Sequence, residues 1–205
     1  MGGGRSIYGL KLVVFVMLLA IHAVDVQASV GEVRVALQNY DGVPPDVIER
    51  AQAEVTRLFA QIDVDIVWVA EPVADPKTVR FVKVTMWEPN DLRIPPTALG
   101  VTYGERTASK RAYILWLRVQ RQAERNAVGV DTMLAIAIAH EIGHVLLPRK
   151  SHVRHGIMRE TWDANDLRLA AAGMLGFSKE SAVRIALGLR PQTAVADQNP
   201  KSDDR

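Results

Sequence analysis

From residue 32 the apolar positions alternate. Val33, Val35 and Leu37 fall on one side of an extended segment, and residues 32–37 read as a strand. Asp41-Gly42 ends it. Pro44-Pro45 opens a helix, with Pro45 suited to the first turn, where a backbone N–H would have no partner. Ile48, Ala51, Val55, Leu58, Phe59 and Ile62 then recur at helical spacing as one apolar stripe. Residues 64–69 and 79–86 give a second and a third strand, separated by a turn around Asp75-Pro76. Residues 89–96 form a polar loop. A short strand is expected over 98–103 and a clearer one over 111–117, and the charged stretch 120–126 reads as a loop or a helical turn. Residues 134–139 are apolar without interruption and continue through 140–147 as a helix buried on most faces. Asp131 or Thr132 is its expected cap, and Pro148 its stop. After Met158 the pattern is helical again. Asp166 begins a helix over 167–174, and Ser178 caps one over 179–189. From residue 192 the chain is small, polar and charged and reads as a disordered tail.

This order predicts one α/β domain of the α+β kind over residues 29–191. A single mixed, mostly parallel sheet packs on the N-terminal helix and on the helix of residues 134–147, followed by a helical C-terminal part. The short gap between residues 98 and 117 allows antiparallel neighbours there. An exposed edge strand would be the natural place to dock an extended peptide.

Composition changes the picture in two places. The chain has 205 residues, 48% hydrophobic and 23% charged, with a net charge of only +2, so nucleic acid is not implied as a partner. Residues 1–28 stand apart. Arg5 and Lys11 precede an apolar run over 12–21, and Val26-Gln27-Ala28 offers the small residues a signal peptidase reads. The run is short of the roughly 20 residues a membrane span needs, so a cleaved export signal is expected, with secreted or periplasmic localisation and no stable membrane insertion. There is no cysteine, which removes disulfides, a thiolate ligand and a cysteine nucleophile.

The chemistry is concentrated in His140-Glu141-Ile142-Gly143-His144. Histidines four apart on a helix project from the same side, so both imidazoles can reach one metal ion, with Glu141 on the adjacent edge as a base for water. A core helix has no structural use for such residues, since a buried unpaired carboxylate costs several kcal/mol unless something compensates it. Two histidines and a water leave a tetrahedral zinc site one protein ligand short. His152, His155 and Glu160 follow the helix as candidates.

The segment Ser151-His152-Val153-Arg154-His155-Gly156-Ile157-Met158 makes the chain resemble the metzincin metallopeptidases. The likeness covers most of the chain in element order, but residues 140–158 alone in motif. It implies Zn²⁺ on His140, His144 and His152, Glu141 as general base, and a tight turn with Gly156 that places Met158 beneath the metal. On this basis His152 is preferred over His155, and Glu160 would instead make a thermolysin-like site. The pattern departs from the family after the second histidine. Leu147 stands where the family has a helix-ending glycine, Pro148 follows, and His152 comes two residues late, so the chain must turn by another route than a left-handed glycine.

The resulting expectation is a secreted zinc metallopeptidase with a peptide or protein substrate. The alternatives are a non-catalytic metal- or partner-binding module and a zinc hydrolase of a non-peptide amide. Arg149, Lys150 and Arg154 beside the site would suit acidic substrates. Ser29 is followed almost at once by the first strand, leaving no room for a latency segment, so activity without a zymogen stage and a narrow specificity are expected.

Overall fold

The computed structural model describes residues 29–70, 80–87, 94–103, 111–147 and 151–189. The expected export signal, the C-terminal tail, most of the 89–96 loop and the Pro148–Lys150 stretch lie outside the described residues. Among the described residues no helix is long and apolar enough to cross a membrane.

Five strands form one sheet in the order β2-β1-β3-β5-β4. They are β1 (Gly31–Asn39), β2 (Val64–Val69), β3 (Arg80–Met86), β4 (Gly100–Tyr103) and β5 (Arg111–Ile114). Strand β1 pairs in parallel with β2 and with β3, and β3 in parallel with β5, while β4 runs antiparallel to β5 at the edge. The mixed, mostly parallel sheet expected from the element order is therefore present.

Alternation sorts the two faces. Val33 and Val35 of β1, Val82 and Val84 of β3, and Ala112 and Ile114 of β5 are buried together with the helices. Arg34, Lys83 and Tyr113 occupy the opposite face. Helix α1 (Pro45–Ala60) crosses from β1 to β2, starts on Pro45 as its sequence suggests, and buries Val47, Ala51, Val55, Leu58 and Phe59. Ile48 and Ile62 pack only partly against this core. A parallel pair needs such a crossover, because a hairpin cannot return the chain in the same direction.

Helix α3 (Val130–Leu146) is the centre of the domain. It packs against α1, α2, the strands β3, β4 and β5, and the C-terminal helices. From Met133 to Leu146 every residue except His144 is buried, as a helix apolar on all sides must be. Each fully buried Ile or Leu contributes about 1.5–3 kcal/mol. With no cysteine in the chain, this burial is what holds the domain together.

Three boundaries differ from the sequence reading. Strand β5 stops at Ile114 rather than running to 117, and Trp116 opens helix α2 (Trp116–Asn126), which takes in the 120–126 stretch expected as a loop or a helical turn. Trp116, Val119 and Ala123 are the buried stripe of this helix. Their spacing is helical, but it continues the alternating run of β5 and is diluted by charges on the exposed side. The cap of α3 is Gly129 rather than Asp131 or Thr132, with no side-chain cap bond. Asp131 instead accepts from Arg50 Nε of α1 at 2.8 Å, which ties the two helices together. Helix α4 (Ala164–Ala171) begins earlier than expected. Asp163 is its N-cap and Asp166 completes a capping box, so Asp166 lies inside the first turn rather than before it. Helix α5 (Lys179–Leu189) follows the predicted range, and Ser178 Oγ accepts from Ser181 N at 3.1 Å.

Helix α2 ends on Ala127 in the left-handed region at φ 52°, with the Val128 N–H reaching back to the Ala123 carbonyl. Glycine is the usual residue at such a stop, because a Cβ costs about 1–2 kcal/mol there. After allowing for the extra freedom glycine gives the unfolded chain, Ala127→Gly should stabilise the protein by about 0.5–1 kcal/mol. The measurement is the urea midpoint, which should rise with an unchanged slope. A lower midpoint would contradict the assignment of strain to this residue.

Candidate metal centre

Helix α3 carries His140, Glu141 and His144 toward the end of the sheet where β4 runs. His152 returns from beyond the end of the helix to meet them. The three histidines offer ring nitrogens that all lie within 4.8 Å of one another, and they form a group able to hold a metal ion. Their ring centroids are 4.5 Å apart for His140 and His144, 4.8 Å for His144 and His152, and 5.3 Å for His140 and His152. His155 and Glu160 are exposed and are not in this group, although Glu160 lines the same cleft.

The outer nitrogens of the helical pair are tethered. His140 Nδ1 lies 2.8 Å from the Ile157 carbonyl, which can only accept. The proton is therefore on Nδ1, and the Nε2 lone pair faces the cluster. His144 Nδ1 lies 2.5 Å from the Ser151 hydroxyl, which can donate or accept. The two Nε2 atoms are 2.9 Å apart. With both Nδ1 atoms engaged outside the cluster, the two Nε2 atoms face one point between them, and the donor set fits a metal ion. The protonation state fits as well. Burial drives the His140 pKa from 6.5 down to about 4, the Ile157 carbonyl opposes this, and the neighbouring His152 adds to it, so the ring is neutral at physiological pH.

The segment after the helix holds these tethers. Helix α3 ends at Leu147, whose φ of −90° and ψ of 154° are extended. A residue before proline is pushed out of the helical region, and Pro148 follows here. The helix therefore ends on an extended residue where a left-handed glycine would be usual. Further on, Gly156 sits at φ 81°, and the Arg159 N–H bonds back to its carbonyl at 3.0 Å. A Cβ on Gly156 would lie 2.5 Å from the Gly176 carbonyl oxygen, so glycine is required there on two counts. This turn aims the Ile157 carbonyl at His140 and buries Met158 completely. The Met158 sulfur occupies the space beside Gly143 that a side chain would need, one residue before His144.

Glu141 is 4% exposed. Thr102 Oγ1 of β4 donates to its Oε2 at 2.7 Å. Burial raises the Glu141 pKa from 4.5 to about 7, against the opposing pull of the Thr102 hydrogen bond. His140, Glu141, His144 and His152 all line one cleft of about 580 Å³, walled by residues 97–102 on one side and by residues 159–162 on the other. The Trp162 ring meets His140 edge-on, with centroids 5.5 Å apart.

Ser151, Ile157, Thr102, Gly100 and Trp162 were not anticipated. Ser151 stands next to His152 in the sequence, and a hydroxyl beside a candidate ligand was a usable signal. The Ile157 contribution is a backbone carbonyl, and Thr102 is distant in sequence from Glu141, so neither had one. Arg149 and Lys150 lie outside the described residues, and Arg154 is exposed.

No protein-family model matches the chain, and no curated protein matches it. The reading of the site therefore rests on its own geometry.

The loop that carries Met158 is anchored to α4 by Arg159, whose guanidinium bonds to both Asp163 and Asp166. The Arg159 hydrogen bond, with help from the α4 backbone N–H groups, holds the Asp163 pKa down at about 2, against an ordinary 3.8. A depressed carboxylate stabilises the fold fully above its unfolded value and loses that contribution as the pH falls. Acid unfolding of the wild type should therefore include a component lost between 3.8 and about 2. Asp163→Asn can still cap the helix but cannot titrate, so its stability should change less over that interval. Superimposable acid limbs, followed by circular dichroism, would overturn this.

Proposed function

We propose that this protein is a secreted zinc metallopeptidase of the metzincin type. The observation that carries the reading is the placement of Glu141. A buried carboxylate lies in the same cleft wall as three clustered histidines, and the cleft is bounded by the edge strand of the sheet. A structural role would not place a carboxylate there, since a buried carboxylate costs several kcal/mol unless it is compensated.

His140, His144 and His152 would hold the ion through neutral imidazoles. An all-histidine set with no thiolate suits zinc among the common metals. When bound, zinc supplies Lewis acidity, polarising a substrate carbonyl and lowering the pKa of a coordinated water toward about 7. The chain's own residues do the rest. The Ile157 carbonyl fixes the tautomer of His140, and the Ser151 hydroxyl orients the ring of His144, as outer partners commonly do. Glu141 accepts a proton at its carboxylate and passes it to the leaving amine. A pKa raised by burial makes it a stronger proton acceptor than an ordinary carboxylate. The edge strand β4 is suited to align an extended peptide by backbone pairing, which favours a peptide over a small amide.

Two measurements test this. The purified protein should bind about one zinc per chain. His140→Ala and His144→Ala should each abolish tight binding, and His152→Ala should weaken it far more than His155→Ala. Ser151→Ala should cost roughly 10- to 100-fold in affinity, as expected for a partner of a ligand. Absence of metal in carefully prepared protein, together with no rise in thermal stability on adding zinc, would end the proposal.

The second is turnover of a peptide library. Glu141→Gln should keep the metal and lower turnover by roughly 10²- to 10⁴-fold. Equal turnover by the two proteins would remove Glu141 from the reaction. Tight zinc binding with no turnover of any peptide by the wild type would leave a metal-binding module.

A further inference from the structure

Among the described residues strand β4 is paired on one side only, to β5. The Leu115 N–H bonds to the directly opposite Leu99 carbonyl at 2.9 Å, while the Ile114 carbonyl turns the other way and accepts from Trp87 of the β3 side. In an antiparallel ladder, bonded and non-bonded pairs alternate. Val101 and Tyr103 therefore bond to β5, opposite Tyr113 and Arg111. Gly100 and Thr102, opposite Ile114 and Ala112, turn their backbone N–H and C=O groups toward the free edge.

The same two residues face Glu141. Thr102 Oγ1 lies 2.7 Å from Glu141 Oε2 and 3.2 Å from the Glu141 backbone carbonyl. Among the described residues no other group donates to this carboxylate. At Gly100 an added Cβ would lie 2.5 Å from Glu141 Cγ and 2.7 Å from its Oε1, so the carboxylate fills the space where a side chain would be. A flexible carboxylate wedged against a glycine and held by one hydroxyl has its orientation set by the strand.

We propose that β4 holds the base as well as bordering the cleft: Thr102 is a positioning residue for Glu141, and Gly100 is the gap in which its carboxylate rests. The arrangement couples substrate to base. A peptide pairing with the free edge would bond to the backbone of the two residues that grip Glu141, so an occupied edge and an aligned carboxylate favour each other. The inference rests on the reading of Glu141 as the base, and its test separates the two.

The probe is Co²⁺ loaded into the purified protein, because its visible absorption responds to groups beside its open coordination position. Four proteins are compared: wild type, Glu141→Gln, Thr102→Val and Thr102→Ser. Glu141→Gln should alter the spectrum. Thr102→Val should alter it in the same sense with Co²⁺ affinity within about threefold of wild type, a difference too small for a lost ligand, and Thr102→Ser should restore it. On a peptide cleaved by the wild type, Thr102→Val should lower kcat by roughly 10- to 100-fold with KM little changed, again restored by serine. Gly100→Ala perturbs the same carboxylate sterically and should reproduce the spectral change if Thr102→Val does not fold. A changed Glu141→Gln spectrum with wild-type spectra for both Thr102→Val and Gly100→Ala overturns the positioning role alone. A Glu141→Gln spectrum identical to wild type overturns the base assignment itself, and the present inference with it.

Discussion

The structure depends on satisfying three polar side chains on a helix that is otherwise apolar over residues 133–146. Helix α3 lies at the centre of the domain and touches nearly every other element. His140 and Glu141 on it are largely buried, against isoleucines beside them that are fully buried. In such surroundings an unpaired polar group costs more than a typical hydrogen bond returns, so each must find a partner. His140 takes the Ile157 carbonyl, His144 takes Ser151, and Glu141 takes Thr102. The three partners come from a turn, a loop and an edge strand. Folding the periphery correctly is thus part of building the site, and each peripheral element has a reason to be where it is.

This division explains what could be read in advance. The strands, α1 and α5 follow from periodicity, α3 from its unbroken apolar run, and the mixed sheet from the order of the elements. The expected meeting of His152 with the helical histidines is present in the cluster, which His155 does not join. The partners could not be read. A carbonyl has no sequence identity, and Thr102 meets Glu141 only because β4 folds back antiparallel on β5. Helix α2 was hidden for a different reason. Its Trp116, Val119 and Ala123 stripe is narrow, and its first residues extend the alternation of the preceding strand, so period two and period 3.6 both fit the same short run.

Glycines show the same dependence on tertiary contact. Gly143 falls between the two helical histidines, where alanine would be the better helix former by about 1 kcal/mol. It is small because the Met158 sulfur needs the space. Gly100 is small because Glu141 needs it, and Gly156 because the turn demands both a positive φ and close passage by the Gly176 carbonyl. Helix propensity is thus given up at Gly143 and strand propensity at Gly100, two positions that touch the site.

The end of α3 completes the argument. A glycine stop would reverse the chain at once and bring a third ligand back within a few residues. Here Leu147 is extended, as its place before a proline dictates. The return is fixed from the far side instead: the Val153 N–H bonds to the Met158 carbonyl, and Ile157 is tied to Gly176. His152 is therefore held by a small closed loop that is itself fastened to the approach to α5. The longer spacing between the second and third histidines is tolerated because the position of the third is set by where its loop closes, not by how soon the helix ends. The same closure delivers Ser151 to His144, so one loop supplies both the third histidine of the cluster and the hydroxyl that orients its neighbour.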